Sequence, residues 1–108
     1  MNEYLLIESG GPHAGSGCER FVGDATRLAA DGEDVALLLI QNGVTGAVPK
    51  ALESLDAYLR QGGDLWVDSF SLRQLAIRAD DLLPGVRLVE MSDVAERLLR
   101  PGLRVVWH

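Results

Sequence analysis

The chain has 108 residues, 47% hydrophobic and 24% charged, with a formal net charge of −6. That length suits one domain with its own core and no need of disulfides or metal, and the acidic balance argues against non-specific nucleic-acid binding, which depends on clustered cations at the phosphates. No apolar run approaches the roughly 18 residues of a membrane span, and Met1 to Glu8 lacks the basic start and cleavage site of a signal peptide, so no membrane role and a cytoplasmic location are expected.

In chain order, Tyr4 to Glu8 predicts a first strand and Ser9 to Gly17 a Gly-bearing loop. From Cys18 to Ala30 the spacing of Phe21, Ala25, Leu28 and Ala29 predicts a helix with one apolar face, which Gly32 stops. Val35 to Ile40 is an unbroken apolar run, the pattern of a parallel strand covered on both faces. The turn Gln41-Asn42-Gly43 ends it, at the edge where open α/β sheets gather ligands and reacting groups. A helix from Pro49 to Gln61 would bury Leu52, Leu55 and Leu59, with proline at its start where a missing N–H costs nothing. Leu65 to Val67 is a short third strand, and Asp68 to Ser71 offers capping residues to a helix carrying Leu72, Leu75 and Ala76. Val86 to Val89 is strand four. Ser92 and Asp93 would cap a helix with Val94, Ala95, Leu98 and Leu99, and Pro101-Gly102 breaks it before a last strand, Leu103 to Trp107. Strands alternating with helices imply right-handed crossovers, and so a mostly parallel sheet of about five strands in a single α/β domain, residues 1–108, with helices on both faces.

Nine of the ten cations are arginine and only Lys50 is lysine, scattered as on a solvated surface. Cys18 is the sole cysteine, which excludes an internal disulfide and any CxxC motif. It reads either as a small buried hydrophobe or as a nucleophile, since a helix N-terminus can lower a thiol pKa. Glu19 opposes that second role, and Arg20 and His13 offset it if the loop folds back. The loop Gly10 to Gly17 has the glycines of an anion-binding turn but no lysine for a P-loop, and Gly15-x-Gly17-x-x-Arg20 lacks the third glycine of a dinucleotide fingerprint. A flexible connection is its plainer reading. His13 and His108 are the only histidines and lie far from Cys18 in the chain, so no metal site and no cofactor are expected. Trp66 and Trp107 suit core packing or an oligomer contact.

The apolar strand, the Asn-Gly turn and the following Val-Thr resemble the small sulfur-relay subunits of the DsrE/DsrF/DsrH (TusBCD) family, most closely the DsrH/TusB branch. The segment Trp66 to Ile77 resembles that family's turn bearing the sulfur-accepting cysteine: Leu72, Arg73, Ala76 and Ile77 match, but Asp68 or Ser71 stands where the cysteine would be. Met91-Ser92-Asp93-Val94 through Val105-Val106-Trp107 is similar to the DsrH/TusB ending, whereas the long first loop is closer to the DsrE type. The resemblance implies a three-layer α/β sandwich of flavodoxin- or Rossmann-like type. It also implies a relay subunit without its own nucleophile, assembled with homologous DsrE/DsrF-like subunits or with itself as a trimer or hexamer, and possible contact with a sulfur carrier protein. Gln41, Asn42, Gly43 and His13 would line the shared site. Neither Asp68 nor Ser71 can hold a persulfide, and helix capping explains both. Independent enzyme activity is left undecided. Two alternatives remain: a stand-alone thiol enzyme or sulfur carrier using Cys18, and a small-molecule or anion-binding module using the Gly10 to Gly17 loop.

Overall fold

The computed structural model describes residues 2–108. Its strands are β1 (Glu3–Glu8), β2 (Asp34–Leu39), β3 (Asp64–Asp68), β4 (Val86–Val89) and β5 (Leu103–Trp107). They form one sheet in the order β4-β3-β2-β1-β5, and every neighbouring pair is parallel. The apolar run beginning at Val35 therefore stands in the middle of the sheet, as its continuity predicts.

The α-helices are α1 (Gly17–Ala30), α2 (Ser54–Arg60), α3 (Ser69–Gln74) and α4 (Met91–Leu98). Parallel crossovers are right-handed, and this rule divides the helices between the faces. From β1 to β4 the chain steps in one direction across the sheet, so α1, α2 and α3 fall on one face. There Phe21, Val22, Ala25, Leu55, Tyr58 and Leu72 pack on Leu6, Leu37, Leu39, Leu65 and Val67. The step from β4 back past β1 to β5 runs the other way, so α4 lies on the opposite face, with Val94 against Leu5, Ile7, Leu38, Trp66 and Val89. Among the described residues no helix is long and apolar enough to cross a membrane.

Three local expectations need correction. The helix expected from Pro49 begins only at Ser54; before it, Gln41–Ala47 winds into a 3₁₀ helix that buries Val44 and Ala47. Lys50 takes a left-handed φ of 70°, which breaks any continuous helix through Pro49, although Leu52 reaches the core from the turn. The cap of α4 is Glu90 rather than Ser92: Glu90 and Asp93 form a reciprocal capping box, the arrangement that satisfies two free N–H groups at once. Finally, of the expected apolar stripe on α4 only Val94 is buried, while Leu98 and Leu99 are exposed. The single short helix on that face covers only part of the sheet.

Candidate functional site

The carboxyl ends of β1, β2 and β3 bring together most of the residues singled out from the sequence. The first loop contains a short 3₁₀ helix, Pro12–Ala14, lying beside the 3₁₀ helix after β2. Two glycines permit this approach: a Cβ on Gly11 would fall 2.9 Å from the Asn42 carbonyl oxygen, and one on Gly43 only 2.3 Å from that of Glu8. Between the two segments is an open depression of about 360 Å³ lined by Gly11, His13, Ala14, Asn42 and Thr45. Some loop N–H groups are already committed. Gly10 donates to Glu8 Oε2 at 3.0 Å and Ala14 to the Gly11 carbonyl at 3.1 Å.

Asp68 and Ser71, both buried, form a second group with the exposed Gln41. Asp68 ends β3 and caps α3, accepting from the Ser71 N–H at 3.2 Å and from the Ser71 hydroxyl at 2.6 Å. The same hydroxyl oxygen accepts the Gln41 N–H at 2.8 Å, tying the left-handed Gln41 (φ 51°) to the β3–α3 turn. Asp68 and Ser71 are buried, and Asp68 Oδ1 has no hydrogen-bond partner among the described residues. The position expected of the relay cysteine is thus next to the Gln41-Asn42-Gly43 turn, but its hydroxyl is engaged on both sides.

Cys18 belongs to a third group, on the other side of the first loop. It is 4% exposed at the start of α1. Its thiol pKa is pushed up from 9.0 to about 12, first by burial, then by the charge of Glu8 and its acceptance of the thiol proton, then by Glu19. This reverses the direction expected from the helix N-terminus, because loss of hydration and a neighbouring carboxylate outweigh the dipole. Arg20 and His13 do not offset the charge; both are exposed. The side chain that meets Glu8 is His108, whose Nδ1 is 2.8 and 2.9 Å from the two carboxylate oxygens.

Sequence reasoning missed this pairing and separated His108 from Cys18, yet both contact the wholly buried Glu8. Parallel pairing of β5 with β1 brings them together: Ile7 is in register with Trp107, so the next residues are Glu8 and His108. The ring of His108 also stacks on Phe21, centroids 5.0 Å apart. One signal was legible, since Glu8 follows Tyr4 and Leu6 in the two-residue period of the face covered by α1.

On the α4 face, Trp66 is buried beneath Arg87 and Arg97, each 5.2 Å from its ring centroid. Asp93, Glu96 and Arg100 complete that depression. Arg97 pairs with Glu3 at 3.5 Å and Asp34 at 3.9 Å, so its charges largely neutralise one another. Among the described residues no three His, Cys, Asp or Glu side chains are grouped as metal ligands.

Neither a family model nor a curated protein matches the sequence. Solved structures do. The YchN protein from E. coli superposes with a TM-score of 0.88 at 16% identity, covering 100% of both chains. A protein of unknown function, MTH1491 from Methanobacterium thermoautotrophicum, gives 0.84 at 18% identity, again over 100% of both. A conserved protein of unknown function, BT1422 from Bacteroides thetaiotaomicron, gives 0.76 at 12% identity over 98% of this chain and 95% of its own. The fold is therefore the three-layer α/β sandwich, with a five-stranded parallel sheet, that these three structures share.

Proposed function

We propose that this chain is a DsrH/TusB-like subunit of a cytoplasmic sulfur-relay assembly, one that shapes a sister subunit's persulfide site without carrying sulfur itself. The observation behind the reading is the Asp68–Ser71–Gln41 group. At the turn where the resembling family carries its sulfur-accepting cysteine, this chain has a serine whose oxygen donates to Asp68 and accepts from Gln41. A hydroxyl cannot form a persulfide. Held in this way, Ser71 fixes the end of β2 against the start of α3, and the neighbouring Asn42 and His13 remain exposed to meet a partner.

The partners would be homologous DsrE/DsrF-like subunits or further copies, in a trimer or hexamer, with a sulfur carrier protein as the downstream acceptor. The carrier alternative on Cys18 has its burial and raised pKa against it, because the thiolate is the attacking species. The ligand-binding alternative has in its favour the depression beside His13 and Asn42.

The test is incubation with a persulfide donor, followed by mass spectrometry of the wild type and of Ser71→Cys, each alone and with proteins recovered by pull-down from the native cell. The expected result is no added sulfur on the wild type, none on Ser71→Cys alone, whose thiol would be as buried as Cys18 and beside Asp68, and a cysteine-bearing homologue among the recovered proteins. Wild-type labelling at Cys18 with turnover would overturn the reading.

A further inference from the structure

β5 is an edge strand with the composition of an interior one. Parallel strands covered on both faces read as apolar runs, whereas natural edge strands carry charges, prolines or bulges that discourage further pairing. Here Val105, Val106 and Trp107 follow one another at the open edge, 45%, 45% and 65% exposed. Register with β1 sets Val105 and Trp107 beside Leu5 and Ile7, on the α4 face, and Val106 beside Leu6, on the α1 face. The α4 face of the edge is therefore apolar, and on the α1 face Val106 stands between Arg104 and His108. The strand's one charge, Arg104, is drawn inward to Tyr4, with Nη1 3.3 Å from the tyrosine oxygen.

The backbone points the same way. The N–H of His108 donates to Ile7 at 2.8 Å and its carbonyl accepts from the Ser9 N–H at 3.1 Å, so both of its polar groups face β1. Strand alternation then turns the N–H and C=O of Trp107 and Val105 outward. Among the described residues no strand lies beyond β5 to meet them.

We propose that β5 pairs with β5 of a second copy of this chain, antiparallel about a twofold axis at Val106, so that one sheet runs through both copies. In that register Val105 lies opposite the partner's Trp107, and these two exchange the outward hydrogen bonds. Val106 meets its own mate in the non-hydrogen-bonded position, where Cα atoms approach to about 4.5 Å. A second copy is the occupant because the strand is its own complement. The twofold satisfies all four outward groups of Val105 and Trp107 and lays apolar side chains together on both faces. It also keeps Arg104 away from its mate, and β5 has no carboxylate to concentrate the net charge of −6 at the contact. An isologous contact of this kind closes on itself and leaves other surfaces free. The contact does not depend on the relay reading.

The test combines two variants of the whole chain. Val106→Cys should oxidise to a covalent dimer of twice 11.7 kDa, with peptide mapping placing the disulfide between the two substituted positions, because that cross-strand spacing suits a disulfide. Val105→Lys, with its circular dichroism unchanged, should lower the light-scattering mass about twofold relative to wild type. If the lysine variant does not fold, the cross-link alone decides. A wild-type monomer, a lysine variant that keeps the wild-type mass, or an oligomer in which Val106→Cys gives no linkage at that position would overturn the proposal.

Discussion

In the native chain Cys18 is expected to stay protonated at pH values where an ordinary cysteine reacts. A thiolate at the start of α1 would gain about 0.3–1 kcal/mol from the helix dipole. Against this stand its burial and the Glu8 carboxylate, which raise the pKa from 9.0 to about 12, a shift equivalent to roughly 4 kcal/mol. At pH 8 the thiolate fraction should fall from about one in ten to about one in ten thousand. Alkylation by iodoacetamide at pH 8 should therefore run about a thousandfold slower in the folded chain than in urea. Glu8→Gln removes the charge but leaves the burial, so its folded-state rate should rise at least about tenfold while staying below that of the unfolded chain. The folded pKa lies above the unfolded one, so the thiol's contribution to stability is intact below pH 9 and is lost as pH rises from 9 through about 12. Equal alkylation rates for folded and unfolded wild type would refute the reasoning, as would a Gln variant no faster than wild type.

Three substitutions test the packing, two of them at the site and one at the opposite end of the sheet. Ser71→Ala leaves the Gln41 N–H without its acceptor and should cost about 1–3 kcal/mol in urea unfolding. Gly43→Ala would set a methyl 2.3 Å from the backbone oxygen of Glu8, a clash no rotamer relieves; a cost of about 1–3 kcal/mol should appear as a Tm lower by roughly 5–15 °C. Tyr58→Phe removes a buried hydroxyl that donates to the Asp64 carbonyl at 2.6 Å, with the Val35 carbonyl 3.2 Å away, and should cost about 1–2 kcal/mol by thermal unfolding. Because burial raises the Tyr58 pKa, that variant should also lose less stability at high pH than wild type does.

The fold was legible where the pattern is strong. The unbroken run at Val35 identified the central strand, and alternation of strands and helices fixed the parallel sheet and the crossover hand. The Asp68–Ser71 cap was visible as well, because capping is chemistry between near neighbours. What escaped depends on distant contacts or on backbone geometry. The 3₁₀ helix after β2 carries glycines that read as a turn, and only packing against Glu8 and the first loop explains their spacing. Leu98 keeps helical phase with Val94, yet phase does not show how little sheet remains beneath it. The Glu8–His108 pair spans nearly the whole chain and has no local signature beyond the inward phase of Glu8.

That pairing bears on how the chain reaches its native state. β1 takes β2 on one side, with Glu3 opposite Asp34, and β5 on the other, with Glu3 opposite Leu103. At ribosomal rates of about 5–20 residues per second, the second neighbour emerges several seconds after the first. Until then Leu5, Leu6 and Ile7 lie along an open margin, and Glu8 is without the imidazole that stands 100 positions further on. Bringing so distant a segment home costs only slightly more entropy than a medium-sized loop, since closure grows with the logarithm of length. The hazard is one of time rather than equilibrium: the half-made sheet is sticky for as long as its fifth strand is missing.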